Sequence, residues 1–382
     1  MDFAFTEEQS AIQDMALGFA KEEISPHALE WDETAHFPVD VIRRTAELGM
    51  GAIYVPEEHG GSGLKRLDGA IIFEALSYGC PTIASYISIH NMVAWMVSKY
   101  ASAAQRARWM EKLATMEWLA SYCLTEPHGG SDAAALSTRA EKRGDTYVLN
   151  GVKQFISGAG TSEFYFVFAR TSDDGARGIS AFAIEKNTPG LSFGANERKM
   201  GWNAQPTAQV ILDNCEVPTE NLIGEEGGGF RFAMSGLDGG RINIGACSLG
   251  AAWAALEKTR DYIFERKAFG KELAAFQAMQ FRVADMATDL DAGRLMIWRA
   301  ADALDRADPN ATRYSAMAKR YATDLGFEIC NQALQAHGGY GYLKDYGIEK
   351  LVRDLRVHQI LEGTNEIMRV VVSRSVLGGN RG

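Results

Sequence analysis

The sequence predicts an α+β protein built in three consecutive parts: an N-terminal helical domain, a middle antiparallel β domain and a C-terminal four-helix bundle. Three observations carry that expectation. Helical periodicity fills the first third of the 382 residues. Short β-rich pieces divided by Gly, Asp and Pro fill the middle. Long helical periods return after the glycine-rich run GEEGGGF at 224–230 and persist to the end. Strands that come in a block, without alternating helices, argue against a parallel βαβ sheet. The expected domains are 1–118, 119–228 and 229–382.

In the first part, Thr6 and Gln9 have the spacing of a capping box, and Ile12, Met15, Ala16, Phe19 and Ala20 follow at helical spacing. Pro38 suits a first helical position, and Gly49 suits the stop of VDVIRRTAELG. Two more periodic stretches, near 67–79 and 87–115, complete a small bundle. From about Leu119 to Val217 the pattern changes. Asn150-Gly151 lies between two strand-like runs in YVLNGVKQFISG and predicts a hairpin. FYFVFAR, GISAFAIEK and AQVILDNCEVP continue the strands. In the third part, periodic stretches at 230–265, 272–306 and 310–335 suit a bundle closed by a helix from about 365.

Composition excludes several functions. Thirty-nine basic against 49 acidic residues give a net charge of −10, so no nucleic-acid partner is expected. Five widely spaced cysteines, with no CxxC pair, suit buried free thiols in a reducing compartment. The opening MDFAFTEEQSAIQ is acidic and unlike a targeting segment, and no apolar run reaches the ~18 residues of a membrane span. A cytoplasmic location is expected.

Familiar catalytic patterns are missing. No GxGxxG follows a strand, Gly270-Lys271 lacks the upstream glycine of a P-loop, and HExxH is absent. Ser131 has Ala133 where a nucleophile elbow needs glycine. No metal site is expected. What remains are glycine- and hydroxyl-rich loops at element boundaries: YCLTEPHGGSD at 122–132, ERKAFG at 265–270 and QAHGGYGY at 335–342. Each has a plain structural alternative, a turn, a solvated helix end or a helix cap. The stretch HQILEGTNEIMR at 358–369 is different. It sets Glu362 after the apolar pair Ile360-Leu361, where burial penalises the charged form. A carboxylate helping to start a helix is the structural alternative, but Thr364 could serve as that cap.

Together these stretches, with FIS at 155–157, resemble the acyl-CoA dehydrogenase family in order and spacing across essentially the whole chain. NGVKQFISGAG, GGRINIGACSLGAA, GGYGYLKDY and VRDLRVHQILEGTNEIMR are most similar to its branched-chain subgroup acting on isobutyryl-CoA in valine degradation. The fold that this implies is the one expected above. The resemblance also implies FAD and an α,β-dehydrogenation of an acyl thioester, with proton removal at Cα and hydride loss from Cβ to flavin N5. Glu362 matches the family's base, and a dry site would raise its basicity. Its backbone N–H would help stabilise the developing enolate. Some relatives carry the base at the position that aligns with Gly240, which has no side chain to supply one.

The other roles follow from the same resemblance. Tyr122, Leu124, Thr125, Gly130 and Ser131 match one side of the flavin, and Phe155, Ile156 and Ser157 the other. Arg266, Phe269, Gln277, Gln335, Gly338 and Gly339 match contacts to the FAD pyrophosphate and adenosine, shared between two subunits. Thr364 and Glu366 match flavin contacts after the base. Ser131, Asp238, Arg241 and Arg374 match acyl-CoA contacts. The pattern departs from the family at His128, where Gly is common, at Asp238, where the subgroup often has Asn, and at Ala268, which lacks a hydroxyl. Expected partners are an acyl-CoA, electron-transferring flavoprotein as acceptor, and further copies of the chain in a homotetramer. Butyryl-CoA and 2-methylbutyryl-CoA are the alternative substrates. An oxygen-using oxidase is usually a longer chain, a nitroalkane oxidase places Asp at the base, and DNA-associated relatives carry a basic C-terminal region.

Overall fold

The computed structural model describes residues 4–378. The first three and last four residues, which the expected outer domains include, lie outside the described residues. Helix α1 (Glu7–Phe19) opens with the expected capping box. Thr6 Oγ1 accepts from the Gln9 amide at 3.1 Å, and the Gln9 side chain accepts from the Thr6 amide at 3.2 Å. A π-helical turn at 20–24 follows, then α2 (Ala28–Thr34) and α3 (Val39–Glu47), for which Pro38 is the N-cap, one residue earlier than expected. After α4 (Arg66–Gly79), the stretch expected as one helix is two, α5 (Pro81–Tyr100) and α6 (Ala103–Ala114). Ser102 divides them because it forms a second capping box with Gln105, which supplies the amide hydrogen bonds a helix start needs.

The middle part holds β1 (Ala120–Cys123), β2 (Arg139–Arg143), β3 (Thr146–Ser157), β4 (Phe164–Arg170), β5 (Ile179–Glu185), β6 (Leu191–Phe193), β7 (Thr207–Pro218) and β8 (Leu222–Ile223). They form one eight-stranded sheet in the order β6-β7-β3-β2-β4-β5-β8, with β1 beside β4. The sheet is antiparallel except at β4, to which β1 and β2 run parallel. In β4, Phe164, Phe166 and Phe168 face the core shared with α5 and α6, while Tyr165 and Val167 face a second core with β3 and β7. A strand covered on both faces reads as a continuous apolar run.

The expected hairpin at Asn150-Gly151 is not there. β3 runs straight through the pair, and the chain reverses one turn earlier, at Gly144-Asp145, where Gly144 has φ +60°. Gly151 instead sits at a register shift against β7 with φ +153°. A Cβ there would lie 2.4 Å from Thr138 Oγ1, so the glycine serves a bulge and a close approach.

The last part begins with α7 (Gly229–Glu265), followed by the two-residue strands β9 (Lys267–Ala268) and β10 (Lys271–Glu272). Helix α8 (Gln277–Asp305) starts five residues later than the periodicity suggested, because 271–275 is taken up by β10 and a 3-10 turn. Helices α9 (Ala311–His337) and α11 (Asn365–Val376) complete the bundle, α7, α8 and α9 packing together and α11 lying on α9.

A short helix that the periodicity did not indicate, α10 (Ile348–Arg356), ties the three parts together. Buried Asp354 accepts from Lys350 at 2.6 Å, from Thr82 of α5 at 3.0 Å and from the Trp202 amide at 2.7 Å. A Cβ on Gly201 would meet the Arg353 backbone at 2.5 Å, so segment 197–202 can lie directly against α10. That segment is one wall of the site.

Candidate active site

Where the three parts meet lies a cavity of about 720 Å³. Ser85, Ile89 and Met92 reach it from α5, Phe230, Met234, Leu237, Arg241 and Ile244 from α7, and Ile360 to Gly363 from the loop before α11. Tyr122, Leu124, Thr125, Gly130, Ser131, Phe155, Ile156 and Ser157, all expected from the sequence, line it together with Glu362 and Arg241. Glu197–Trp202, Thr207, Arg353, Arg356 and the apolar residues of α5 and α7 were not expected. No motif marks them; only tertiary packing brings them to the cavity.

The loop leaving β1 is fastened from below. Glu126 is buried and ion-paired to fully buried Lys153 of β3 at 2.7 Å. Its carboxylate also accepts from the amides of Ser137 and Thr138 at 2.6 and 3.0 Å and from the Ser137 hydroxyl at 2.8 Å. Burial alone would raise the Glu126 pKa. The Lys153 charge and these hydrogen bonds overturn that and hold it at about 2. Lys153 also donates to the Leu124 carbonyl at 3.3 Å. One buried pair thus fixes both ends of the 125–136 loop, at Leu124 and at Ser137-Thr138. Across from it, Phe155 adopts φ +59° at a second register shift of β3 against β7 and is 64% exposed at the cavity.

Glu362 does not cap α11. Thr364 does, its Oγ1 accepting from the Ile367 amide at 3.2 Å. Glu362 has φ +54° and Gly363 φ +90°, a pair of left-handed residues that turns the carboxylate into the cavity. Oε2 is buried with no hydrogen-bond partner. Burial raises the carboxyl pKa to about 7, against the opposing pull of Lys319 and Arg241. Arg241, itself buried, donates to the Glu362 carbonyl at 3.4 Å and is paired to Asp238 at 2.7 Å. Asp238 also accepts from Thr312 at 2.5 Å and is not part of the cavity lining.

A Cβ on Gly240 would lie 2.1 Å from Glu362 Oε2. The glycine on α7 therefore leaves room for the carboxylate that the loop supplies. Gly240→Ala is expected to fold normally, since the displaced atoms end a flexible side chain. Flavin reduction is expected to slow by roughly 10- to 100-fold through misplacement of the carboxylate. Stopped-flow absorbance and a thermal melt check the two halves of that expectation; an unchanged rate would contradict it.

The remaining expected residues lie elsewhere. Arg266, Gln335, Gly338 and Gly339 line a separate surface cavity of about 390 Å³, where the Arg266 guanidinium lies 5.2 Å from the Tyr340 ring centroid. Phe269 is 95% exposed beside it in sequence, and Gln277 is an exposed first residue of α8. Glu366 is exposed and pairs with Arg369 at 3.5 Å, and Arg374 is exposed near the end of α11. Of the histidines, His358 is a packed core residue: Nε2 accepts from Trp202 Nε1 at 3.2 Å, and Nδ1 lies 2.8 Å from the Ser248 hydroxyl. Burial lowers its pKa to about 3.

The main cavity suits a large flat heteroatom-rich ring beside an acyl chain. Ser85, Thr207 and Glu362 line it, and each carries a buried side-chain oxygen without a hydrogen-bond partner in the protein. Apolar residues from α5 and α7 offer room for the chain. The residues present therefore fit FAD, with the Tyr122–Ser131 segment on one side of the cavity and Phe155–Ser157 on the other. Among the described residues, no group of three or more His, Cys, Asp or Glu could hold a metal ion, and no helix is long and apolar enough to cross a membrane.

Comparison with known proteins agrees with this geometry. Residues 6–117, 121–215 and 227–377 match the N-terminal, middle and C-terminal domain models of acyl-CoA dehydrogenase. The chain is 55% identical over 372 residues to mitochondrial isobutyryl-CoA dehydrogenase of Bos taurus, covering 97% of this chain and 89% of that protein. The structure superposes with a TM-score of 0.97, at 40% identity, on a chain solved in work on the electron transferring flavoprotein of Acidaminococcus fermentans and flavin-based electron bifurcation, covering 99% and 100% of the two chains. The butyryl-CoA dehydrogenase of Megasphaera elsdenii gives 0.96 at 36% identity, again over 99% and 100%. A buried carboxylate facing a cavity shaped for a flavin and an acyl thioester is what that relationship requires, and this chain belongs to the acyl-CoA dehydrogenase family, as an FAD-dependent oxidoreductase that dehydrogenates acyl-CoA.

Proposed function

We propose that the chain converts isobutyryl-CoA to methacrylyl-CoA, a step of valine degradation, with Glu362 as the base that removes the α-proton. The substrate rests on the 55% identity to isobutyryl-CoA dehydrogenase, and the observation that carries the base is the unpartnered Oε2 of Glu362, buried in the space left by Gly240. A carboxyl with pKa near 7 is matched to accepting a proton at neutral pH. FAD, when bound, accepts the hydride that leaves Cβ. Arg241 holds the Glu362 carbonyl, and the close approach of α7 at Gly240 keeps water from the carboxylate. Tyr122, Leu124, Thr125, Gly130, Ser131, Phe155, Ile156, Ser157 and Thr364 hold the flavin, and Ser131 and Arg241 contact the acyl-CoA. Asp238 acts through Arg241, and Arg374 and Glu366 are assigned outer contacts to acyl-CoA and flavin on the family pattern.

Arg266, Phe269, Gln277, Gln335, Gly338 and Gly339 are assigned to the pyrophosphate and adenosine of an FAD seated in a second subunit. Their surface cavity, apart from the main one, and the exposed Phe269 support an assembly in which two copies complete each site, as a dimer of dimers. Electron-transferring flavoprotein is the proposed acceptor, in keeping with the family. The domains are proposed to run 1–118, 119–228 and 229–382. Five buried, unpaired cysteines suit a reducing compartment such as the cytoplasm.

Anaerobic titration with isobutyryl-, butyryl- and 2-methylbutyryl-CoA tests the substrate. Isobutyryl-CoA is expected to bleach the flavin fastest; a clear preference for butyryl-CoA would replace the branched-chain assignment.

A further inference from the structure

Helix α9 grips the Glu362 loop on both sides of the carboxylate. After it, Lys319 Nζ donates to the Gly363 carbonyl at 2.8 Å and to Asn365 Oδ1 at 2.9 Å. Asn365 in turn donates to Thr323 Oγ1 at 3.0 Å and to Asp324 at 2.7 Å. Before it, Gln359 donates to the same Asp324 oxygen at 2.9 Å. The three residues most in need of restraint, Glu362 and Gly363 at positive φ and Thr364 at the cap, lie between these anchors.

Lys319 is unlike the other two buried lysines. Lys153 and Lys350 each touch a carboxylate, at 2.7 and 2.6 Å. Lys319 is fully buried, yet its hydrogen bonds go to neutral oxygens. A buried ammonium needs a compensating negative charge. Burial lowers its pKa to about 8, with Glu362 the leading group that pulls it back up. The charged groups facing the two are few. From α9 they are Lys319 and Asp324, from α7 Arg241 with its partner Asp238, and from α11 Glu366. Tyr122 of β1, Cys247 of α7 and His358 complete the surroundings as neutral groups, each kept from ionising by burial.

Resting on the reading of Glu362 as the base, we propose that Lys319 is a positioning residue that tethers the chain beyond Glu362 and, by its charge, limits how basic the carboxylate becomes. The tether makes the left-handed turn reproducible. The charge opposes desolvation, so that a share of the carboxylate is ionised at neutral pH and ready to accept the α-proton. Without it, desolvation would act with only Arg241 in opposition, and a larger share of Glu362 would carry its proton before substrate arrives.

The FAD-loaded Lys319→Met and Lys319→Gln enzymes test this. Two quantities are read against pH: the rate of anaerobic flavin reduction by isobutyryl-CoA, and the infrared band of the protonated Glu362 carboxyl, identified by its loss in Glu362→Gln. In Lys319→Met both midpoints are expected to move up by about one pH unit, with a lower plateau rate. Lys319→Gln keeps a donor for the Gly363 carbonyl; it is expected to show the same midpoint shift with a plateau nearer the parent. Unmoved midpoints, with only lower melting temperature or FAD content, would reduce Lys319 to a structural residue. Should the Met variant not fold, the Gln midpoint decides alone. Near-normal flavin reduction in Glu362→Gln would instead remove the base reading itself.

Discussion

Glu362→Gln is expected to keep FAD bound and to lose flavin reduction by isobutyryl-CoA by at least about 10³-fold. The amide fills the same space beside Gly240 but cannot take a proton. Near-normal bleaching of the flavin by substrate would sink the mechanism. The same variant reports the cost of the site. The folded carboxyl has a pKa of about 7, against an ordinary value of 4.5. A carboxyl raised on folding contributes stability that is present below the ordinary value and lost as pH rises through the raised one. Above about pH 7 the parent therefore carries a penalty of up to about 3 kcal/mol, which the neutral Gln lacks. Glu362→Gln should melt above the parent at pH 8, and the gap should close toward pH 4.5. A gap that is independent of pH would mean that the carboxylate is not held against its solvation.

Lys153→Met is expected to destabilise the protein by about 3–5 kcal/mol, because it leaves the Glu126 carboxylate buried without its cation. The consequence for function is indirect. Lys153 holds the Leu124 carbonyl, and Glu126 holds Ser137 and Thr138, so the loop that lines the flavin side of the cavity loses its floor. Faster release of FAD, followed by flavin fluorescence, should accompany a lower melting temperature. Removing both charges in Glu126→Gln/Lys153→Met should recover part of the stability, since the stranded carboxylate is the main cost. A double variant no more stable than Lys153→Met would show that the pair does not act through its charge.

Several features were legible in the chain itself because they depend on residues close in sequence. The Thr6–Gln9 capping box needs only a spacing of three, and it forms. The unbroken apolar run FYFVFAR marked a strand that proves to be covered on both faces. Glu362, set between an apolar pair and a capping threonine, stands out by residue type and position alone. Errors arose where a local signal had two meanings. Asn150-Gly151 suits a two-residue hairpin, but glycine also suits a bulge, and the approach of Thr138 decided for the bulge. Helix α10 was missed because its nine residues are too few for a secure period, although its Asp354 holds the three parts together.

The sequence by itself determined the three-part architecture, the family and the carboxylate that lines the cavity. These follow from periodicity and from loops whose residue types stay together along the chain. Only the tertiary structure decided why that carboxylate is basic. Desolvation raises its pKa, while Arg241 and Lys319 hold it back, and these residues and Gly240 all lie more than forty positions from Glu362; desolvation is a property of packed volume that no local pattern carries.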